Sequence, residues 1–215
     1  MRAAVLGAND GVVSTASLIV GIAAAVSGPS QIILTGIAGV VAGAMSMAAG
    51  EYVSVSSQAD AERADLAREA EELATDRGGE LRELTQIYVQ RGLAPALAVQ
   101  VATQLMASDA LAAHVRDELG LSDAGAARPV QAALASALAF ALGGGLPLLA
   151  AACSPPQSIA LAVAAVTLIG LIALGAIGAL AGGAAPLPAT ARVVFWGALA
   201  MAVTAGIGKL VGTVL

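Results

Sequence analysis

Six residues in the middle of the chain carry the right side chains, at the right intervals, for cation chemistry. Glu69 and Glu72 form one E-x-x-E pair and Glu80 and Glu83 a second, on either side of the sequence TDRGG at 75–79. A spacing of three places both carboxylates of a pair on one helical face. A hairpin at TDRGG would let all four converge on one ion, and oxygen donors of this kind suit Fe²⁺, Mn²⁺ or Zn²⁺ better than a soft ion. His114 and Glu118 follow at i and i+4, from which an imidazole and a carboxylate can reach the same metal. The same residues also fit a solvated, charged helix surface with an incidental histidine, so spacing alone leaves both readings open. Asp109, Asp117, Met106 and Asp123 lie nearby with no assigned role.

A second group sits in apolar sequence. The stretch GIAGVVAGAMSMAAGE at 36–51 puts Gly36, Gly39, Gly43, Met47 and Gly50 on one helical stripe, with Glu51 beside Met47 at i+4. Small residues alone mark a packing seam. A thioether and a carboxylate on that seam point to ligands, because a carboxylate near hydrocarbon costs roughly 2.5–3.5 kcal/mol and faces a partner or a wet path. In the first apolar segment Asp10, Ser14, Ser17 and Gly21 form a polar or small stripe. Asp10 and Met47 are each a few residues inside the same end of their helices, hence at a similar depth. The alternative, Asp10 as a cap before a span starting at Gly11, leaves a remnant to Val26 shorter than the ~17 residues that crossing requires. Met45 reads as a gap filler. Lys209 reads as a snorkelling cation, and the glycines at 143–145, 175, 178, 182 and 183 as packing or kink sites.

These residues are carried by a chain built for a membrane. It has 215 residues, 58% of them hydrophobic and 12% charged, with a mean hydropathy of +0.86. An average soluble domain carries about 25% charged residues. Residues 54–128 hold 13 acids against 7 arginines, so nearly all of the net charge of −5 belongs to that segment. Such a segment repels nucleic acid and attracts cations. The single cysteine, Cys153, excludes a disulfide framework within the chain and a Cys-rich zinc site. Residues 1–26 lack a polar cleavage region and carry Asn9 and Asp10, so the first apolar segment is expected to remain as a span. Catalysis finds no support: there is no G-x-S-x-G, no phosphate-cradling glycine loop, and no cysteine with a base beside it.

A ~30 Å hydrocarbon core needs about 20 helical residues, which marks spans at 3–26, 32–53, 130–152, 159–180 and 193–215, with turns at 27–29, 154–156 and 182–188. Arg2, the insert arginines and Arg192 fall on one side, while the loops around Pro29 and Pro155 carry none, which sets the N-terminus inside and the C-terminus outside. The expected fold is therefore an all-α membrane protein with five transmembrane helices. Residues 1–53 form helices 1 and 2, 54–128 a cytoplasmic helical metal-binding domain, and 129–215 helices 3 to 5. Within the insert, 60–74 extends the second span with Leu66 and Leu73 as apolar marks, TDRGG breaks it, and 80–90 is a short helix. Pro95 starts another helix, and Ser108 or Asp109 caps a continuation to Leu119, stopped by Gly120. About 70 residues with one thin apolar stripe make a weak core, one that calls for a partner surface or bound metal.

Three stretches together resemble the vacuolar iron transporter family over essentially the whole chain. They are GANDGVVSTASL at 7–18, G-x-x-S-M-A-x-G-E-Y-V-S at 43–54, and V-F-W-G-x-L-A-M-A-V-T-x-G-I-G-K-L-x-G at 194–212. The resemblance implies a homodimer of five-span protomers that exports Fe²⁺, and often Mn²⁺, from the cytosol in exchange for protons. It also implies transport-path roles for Asp10, Met47 and Glu51, and metal-binding roles for Glu69, Glu72, Glu80, Glu83 and Glu118. The pattern departs at His114, where a eukaryotic relative presents methionine, and at Val115, which offers no ligand. Imidazole binds Fe²⁺ or Zn²⁺ at least as well. No permanently bound cofactor is implied; the partners are divalent metals, with Zn²⁺ and Co²⁺ as further candidates, together with protons, the lipid bilayer and a second copy. The absence of an N-terminal extension favours a plasma membrane over a vacuole. The rival reading is a membrane-anchored metal sensor or scaffold that does not transport.

Overall fold

Long apolar runs without period-2 alternation dictate helices, and the described residues form helices with no strand. The computed structural model describes the backbone of residues 2–25, 28–120 and 127–214, and side chains from Val5 onward. The expectations that touch Val26, Ser27, Asp123 and Leu215 lie outside the described residues. The helices are α1 (Arg2–Ala25), α2 (Pro29–Thr75), α3 (Arg77–Gln90), α4 (Pro95–Asp117), α5 (Pro129–Ala152), α6 (Ile159–Ala181) and α7 (Pro186–Gly212), with a 3₁₀ turn at Pro156–Ser158. The chain divides into two compact units, Met1–Val53 with Pro129–Leu215, and Ser54–Arg128.

In the first unit α1 is the central helix, in contact with α5, α6 and α7. Two close approaches explain why. A Cβ on Gly11 would collide with the Phe140 carbonyl of α5, and a Cβ on Gly208 of α7 with the Gly21 carbonyl of α1. Backbones this close need glycine, as in membrane helix pairs generally. Ala16, Ile19, Val20, Ile32, Ala151, Ile159, Val163 and Met201 fill the space between the helices. The membrane half of α2 lies on this bundle through its glycines: Gly36 faces Ile19 and Leu148, Gly39 faces Leu18, and Gly43 faces the Phe140 ring. A Cβ on Gly50, on the same predicted stripe, would meet nothing within 4 Å among the described residues. Leu34, Ile37, Val41 and Met45 are exposed.

Among the described residues, six helices are long and apolar enough to cross a membrane by length and composition. The sixth, beyond the five expected, is α4, whose mean hydropathy of 1.2 is the lowest of the set. Two boundaries move from the sequence expectation. α7 begins at Pro186 rather than 193, because prolines in a first turn lack only an N–H that a helix start leaves unpaired. α3 begins at Arg77 rather than 80, because Asp76 caps it and leaves the break one residue long. α2 is one helix of 47 residues, about 70 Å at 1.5 Å per residue.

Candidate metal centre

The second unit is held together where the end of α2, α3 and α4 meet. Leu73, Leu84, Ala102, Met106 and Ala113 form its buried apolar cluster. Asp76 Oδ1 accepts from the Gly79 amide at 2.8 Å, which turns the chain sharply from α2 into α3. α4 is interrupted at Asp109, where φ −155° and ψ 101° are not helical. The Asp109 carboxylate accepts from the Ala112 amide at 3.0 Å and so restarts the helix. Arg77 Nη2 donates to the Met106 carbonyl, just before the interruption, at 3.0 Å. Of the two residues expected to cap here, Ser108 and Asp109, it is Asp109 whose side chain does so, and the break re-aims the last turns of α4, which carry His114.

His114 is fully buried, and three carboxylates surround its Nδ1. Glu69 Oε1 of α2 is 3.0 Å away, Glu118 Oε2 at the end of α4 is 3.0 Å away, and Glu80 Oε2 of α3 is 3.6 Å away. One ligand atom from each of the four residues lies within 4.8 Å of all the others. A ring nitrogen can share one proton, and the hydrogen bond goes to Glu118. Glu69 Oε1 is buried and makes no hydrogen bond among the described residues. Like charges this close resist ionisation. Burial first, and then the Glu118 charge, push the Glu69 carboxyl up to about 6 against the pull of His114. Burial raises Glu80 as well. A divalent cation at the focus of the three carboxylates would relieve both the crowding and the unpaired oxygen, and a set of one nitrogen and three oxygens suits Fe²⁺, Mn²⁺ or Zn²⁺.

Comparison with known proteins supplies the context. The VIT family matches residues 1–209. The chain belongs to the VIT family. It is 46% identical over 211 residues to a vacuolar iron transporter of Acanthamoeba castellanii, covering 98% of this chain and 78% of that protein. It is 42% identical to vacuolar iron transporter homolog 1 of Arabidopsis thaliana, covering 99% of this chain and 84% of that protein. A rice protein, vacuolar iron transporter homolog 1 of Oryza sativa, is 38% identical over 99% of this chain and 74% of its own length.

In this VIT-family chain the predicted metal residues separate into two sets. Glu69, Glu80, His114 and Glu118 come together. Glu72 and Glu83 are exposed and stand outside that four-residue group, although their charges reach it and add to the raised pKa of Glu69 and Glu80 respectively.

The membrane candidates are arranged differently. Asp10 is exposed, its carbonyl accepting from Ser14 Oγ at 2.6 Å, while its carboxylate makes no hydrogen bond or ion pair among the described residues. Met47 and Glu51 are half-buried. The antiparallel course of α1 and α2 follows from Gly36 on Ile19, Gly39 on Leu18, and Val40 and Thr15, which both lie against Gly144 of α5.

Two features were not foreseen from sequence. Phe140 is 3% exposed and meets both Gly11, through its carbonyl, and Gly43, through its ring; an aromatic in a glycine-rich membrane segment was the available signal. Asp117, read as a spare, is bound by Tyr88, Arg91 and Arg116. No local signal pointed to it, since Tyr88 and Arg91 lie more than 25 residues away in the chain.

Proposed function

We propose that this protein carries Fe²⁺, and Mn²⁺ with it, out of the cytosol across a membrane in exchange for protons. The observation that carries the reading is the convergence of Glu69, Glu80 and Glu118 on one buried imidazole nitrogen, in a chain whose relatives are named iron transporters. In this reading α1, α2, α5, α6 and α7 span the bilayer, and residues 54–128 form a cytoplasmic metal-binding domain. The grouping of α4 with that acidic unit supports leaving it out of the membrane. The domain collects divalent ions at the Glu69, Glu80, His114 and Glu118 cluster, with Glu72 and Glu83 enriching cations around it.

From there the ion enters a path lined by Asp10, Met47 and Glu51. The antiparallel course of α1 and α2 supports a shared depth for Asp10 and Met47. The carboxylates bind the ion when ionised and release it when protonated from the far side, and the thioether disfavours Ca²⁺ and Mg²⁺. A homodimer closes the path, supported by the uncovered apolar face of α2 at Leu34, Ile37, Val41 and Met45. The N-terminus faces the cytosol and the C-terminus the far side. The same direction serves a plasma membrane, the sequence expectation, and a vacuolar membrane, the one named in the relatives.

The test is flux into proteoliposomes loaded with a metal-sensitive fluorophore, with an imposed pH gradient. Asp10→Asn is expected to abolish Fe²⁺ flux, and the pH gradient to set its rate. Unchanged flux in Asp10→Asn, or flux indifferent to the gradient, would overturn the proposed mechanism.

A further inference from the structure

The last turn of α4 is fastened by a carboxylate that the metal cluster does not use. The Asp117 side chain is only 7% exposed. Its Oδ2 accepts from the Tyr88 hydroxyl at 2.8 Å and from Arg116 Nη2 at 2.8 Å, and its Oδ1 accepts from Arg91 Nη1 at 2.6 Å. Arg91 Nη2 also donates to the Asp117 backbone carbonyl at 2.8 Å. The Arg91 guanidinium lies 5.3 Å from the centroid of the Tyr88 ring, so the two donors from α3 brace each other. Both the side chain and the main chain of Asp117 are therefore tied to the C-terminal turn of α3.

The residue that follows is Glu118, at the C-cap of α4. A helix end frays readily, and a partly solvated carboxylate gains by turning to water rather than toward other carboxylates. Yet Glu118 Oε2 stays 3.0 Å from His114 Nδ1, and its amide still donates to the His114 carbonyl at 2.8 Å. The His114 hydrogen bond is one tie on that turn, and the contacts of Asp117 are a second. Taking the metal centre proposed above as its basis, the geometry points to Asp117, gripped by Tyr88 and Arg91, as a positioning residue that sets Glu118 for ion binding. The clamp fixes the backbone from which the fourth ligand reaches back, so its loss frees Glu118 while leaving Glu69, Glu80 and His114 in place. The Tyr88 and Arg91 contacts span two helices, so the clamp also couples the end of α3 to the ligand at the end of α4.

Co²⁺ titration of the full-length protein in detergent, followed by visible absorption, separates this role from general bracing. Asp117→Asn is expected to weaken Co²⁺ binding about tenfold, the lower end of what outer-sphere changes cost at metal sites. It should also move the absorption band toward that of Glu118→Gln. In the Glu118→Gln background, Asp117→Asn should cost nothing further, since the ligand it positions is gone. Tyr88→Phe removes one hydroxyl and should act in the same direction by a smaller factor, and it carries the comparison if Asp117→Asn does not fold. Equal losses from the clamp variant in both backgrounds, or no loss in a protein that Glu118→Gln does weaken, overturn the clamp alone. Co²⁺ binding indifferent to Glu118→Gln overturns the metal centre and the clamp with it.

Discussion

His114 Nδ1 stands 3.0 Å from Glu118 Oε2 across one turn of α4, inside a ring of carboxylates drawn from three helices. The imidazole is the only nitrogen ligand in that group, and it is fully buried. His114→Ala should therefore act twice. Losing a direct ligand should weaken Co²⁺ or Mn²⁺ binding at least about tenfold, since even outer-sphere changes reach that factor. Emptying a fully buried ring site should cost the metal-free protein about 2 kcal/mol or more. Metal titration and thermal unfolding of the full-length variant check the two effects, and wild-type affinity in a stable His114→Ala protein would remove His114 from the centre.

The two E-x-x-E pairs divide differently in space than in sequence. Glu69 and Glu80 are buried against His114, while Glu72 and Glu83, three residues further on in each pair, face solvent. Exposed charges act on a site through water and are screened by salt. Glu69→Gln or Glu80→Gln should each lower metal affinity by about tenfold or more. Glu72→Gln and Glu83→Gln should change it by less than about threefold, and less still at high ionic strength. Equal losses at all four positions would show that the ion is held by the full set rather than by the buried one.

This division shows where sequence reading stops. Periodicity located the helices and the i,i+3 and i,i+4 pairs, because those depend on local geometry. Which member of each pair turns inward depends on how α2, α3 and α4 pack, and that is set by Asp76, whose cap shortens the turn to one residue, and by the break at Asp109. Asp109 was legible as a cap because its chemistry is local. The Asp117 contacts were not, since Tyr88 and Arg91 lie more than 25 residues away in the chain. The α2 glycine stripe was legible as a seam, but what lies opposite it, Phe140 among others, belongs to a helix nearly 100 residues later.

That seam gives a paired test. A Cβ on Gly43 would collide with the Phe140 ring, while one on Gly50 would meet nothing within 4 Å. Gly43→Ala should destabilise the protein by about 1–3 kcal/mol, the usual cost of overpacking a filled site. Gly50→Ala should be neutral or stabilising by up to about 1 kcal/mol, through helix propensity alone. Thermal unfolding in a fixed detergent reads both. A Gly43→Ala protein as stable as Gly50→Ala would mean that α2 does not rest on Phe140.

The pH dependence follows from the crowding around His114. Glu69 has its carboxyl pushed up to about 6 from an ordinary 4.5, by burial first and then by Glu118. Between those values the folded protein binds a proton that the unfolded chain has released, so stability falls as pH rises through the window. Glu80 moves in the same direction. Asp117 works oppositely: burial raises its pKa, but hydrogen bonds from Arg116, Arg91 and Tyr88 outweigh this and hold it below the usual carboxylate range. Its stabilisation is lost only in stronger acid, as pH falls below its unfolded value of 3.8 toward the depressed folded one. The metal-free protein should therefore unfold at a higher temperature at pH 5 than at pH 7.5. Mn²⁺ should reverse that order, because it binds the ionised carboxylates and must displace protons below about pH 6. Glu69→Gln should flatten the metal-free profile between pH 4.5 and 6. Thermal midpoints taken across this range in chelator and in saturating Mn²⁺ provide the measurement. A metal-free midpoint that climbs steadily with pH, unchanged by Glu69→Gln, would mean the carboxylates are not crowded in solution.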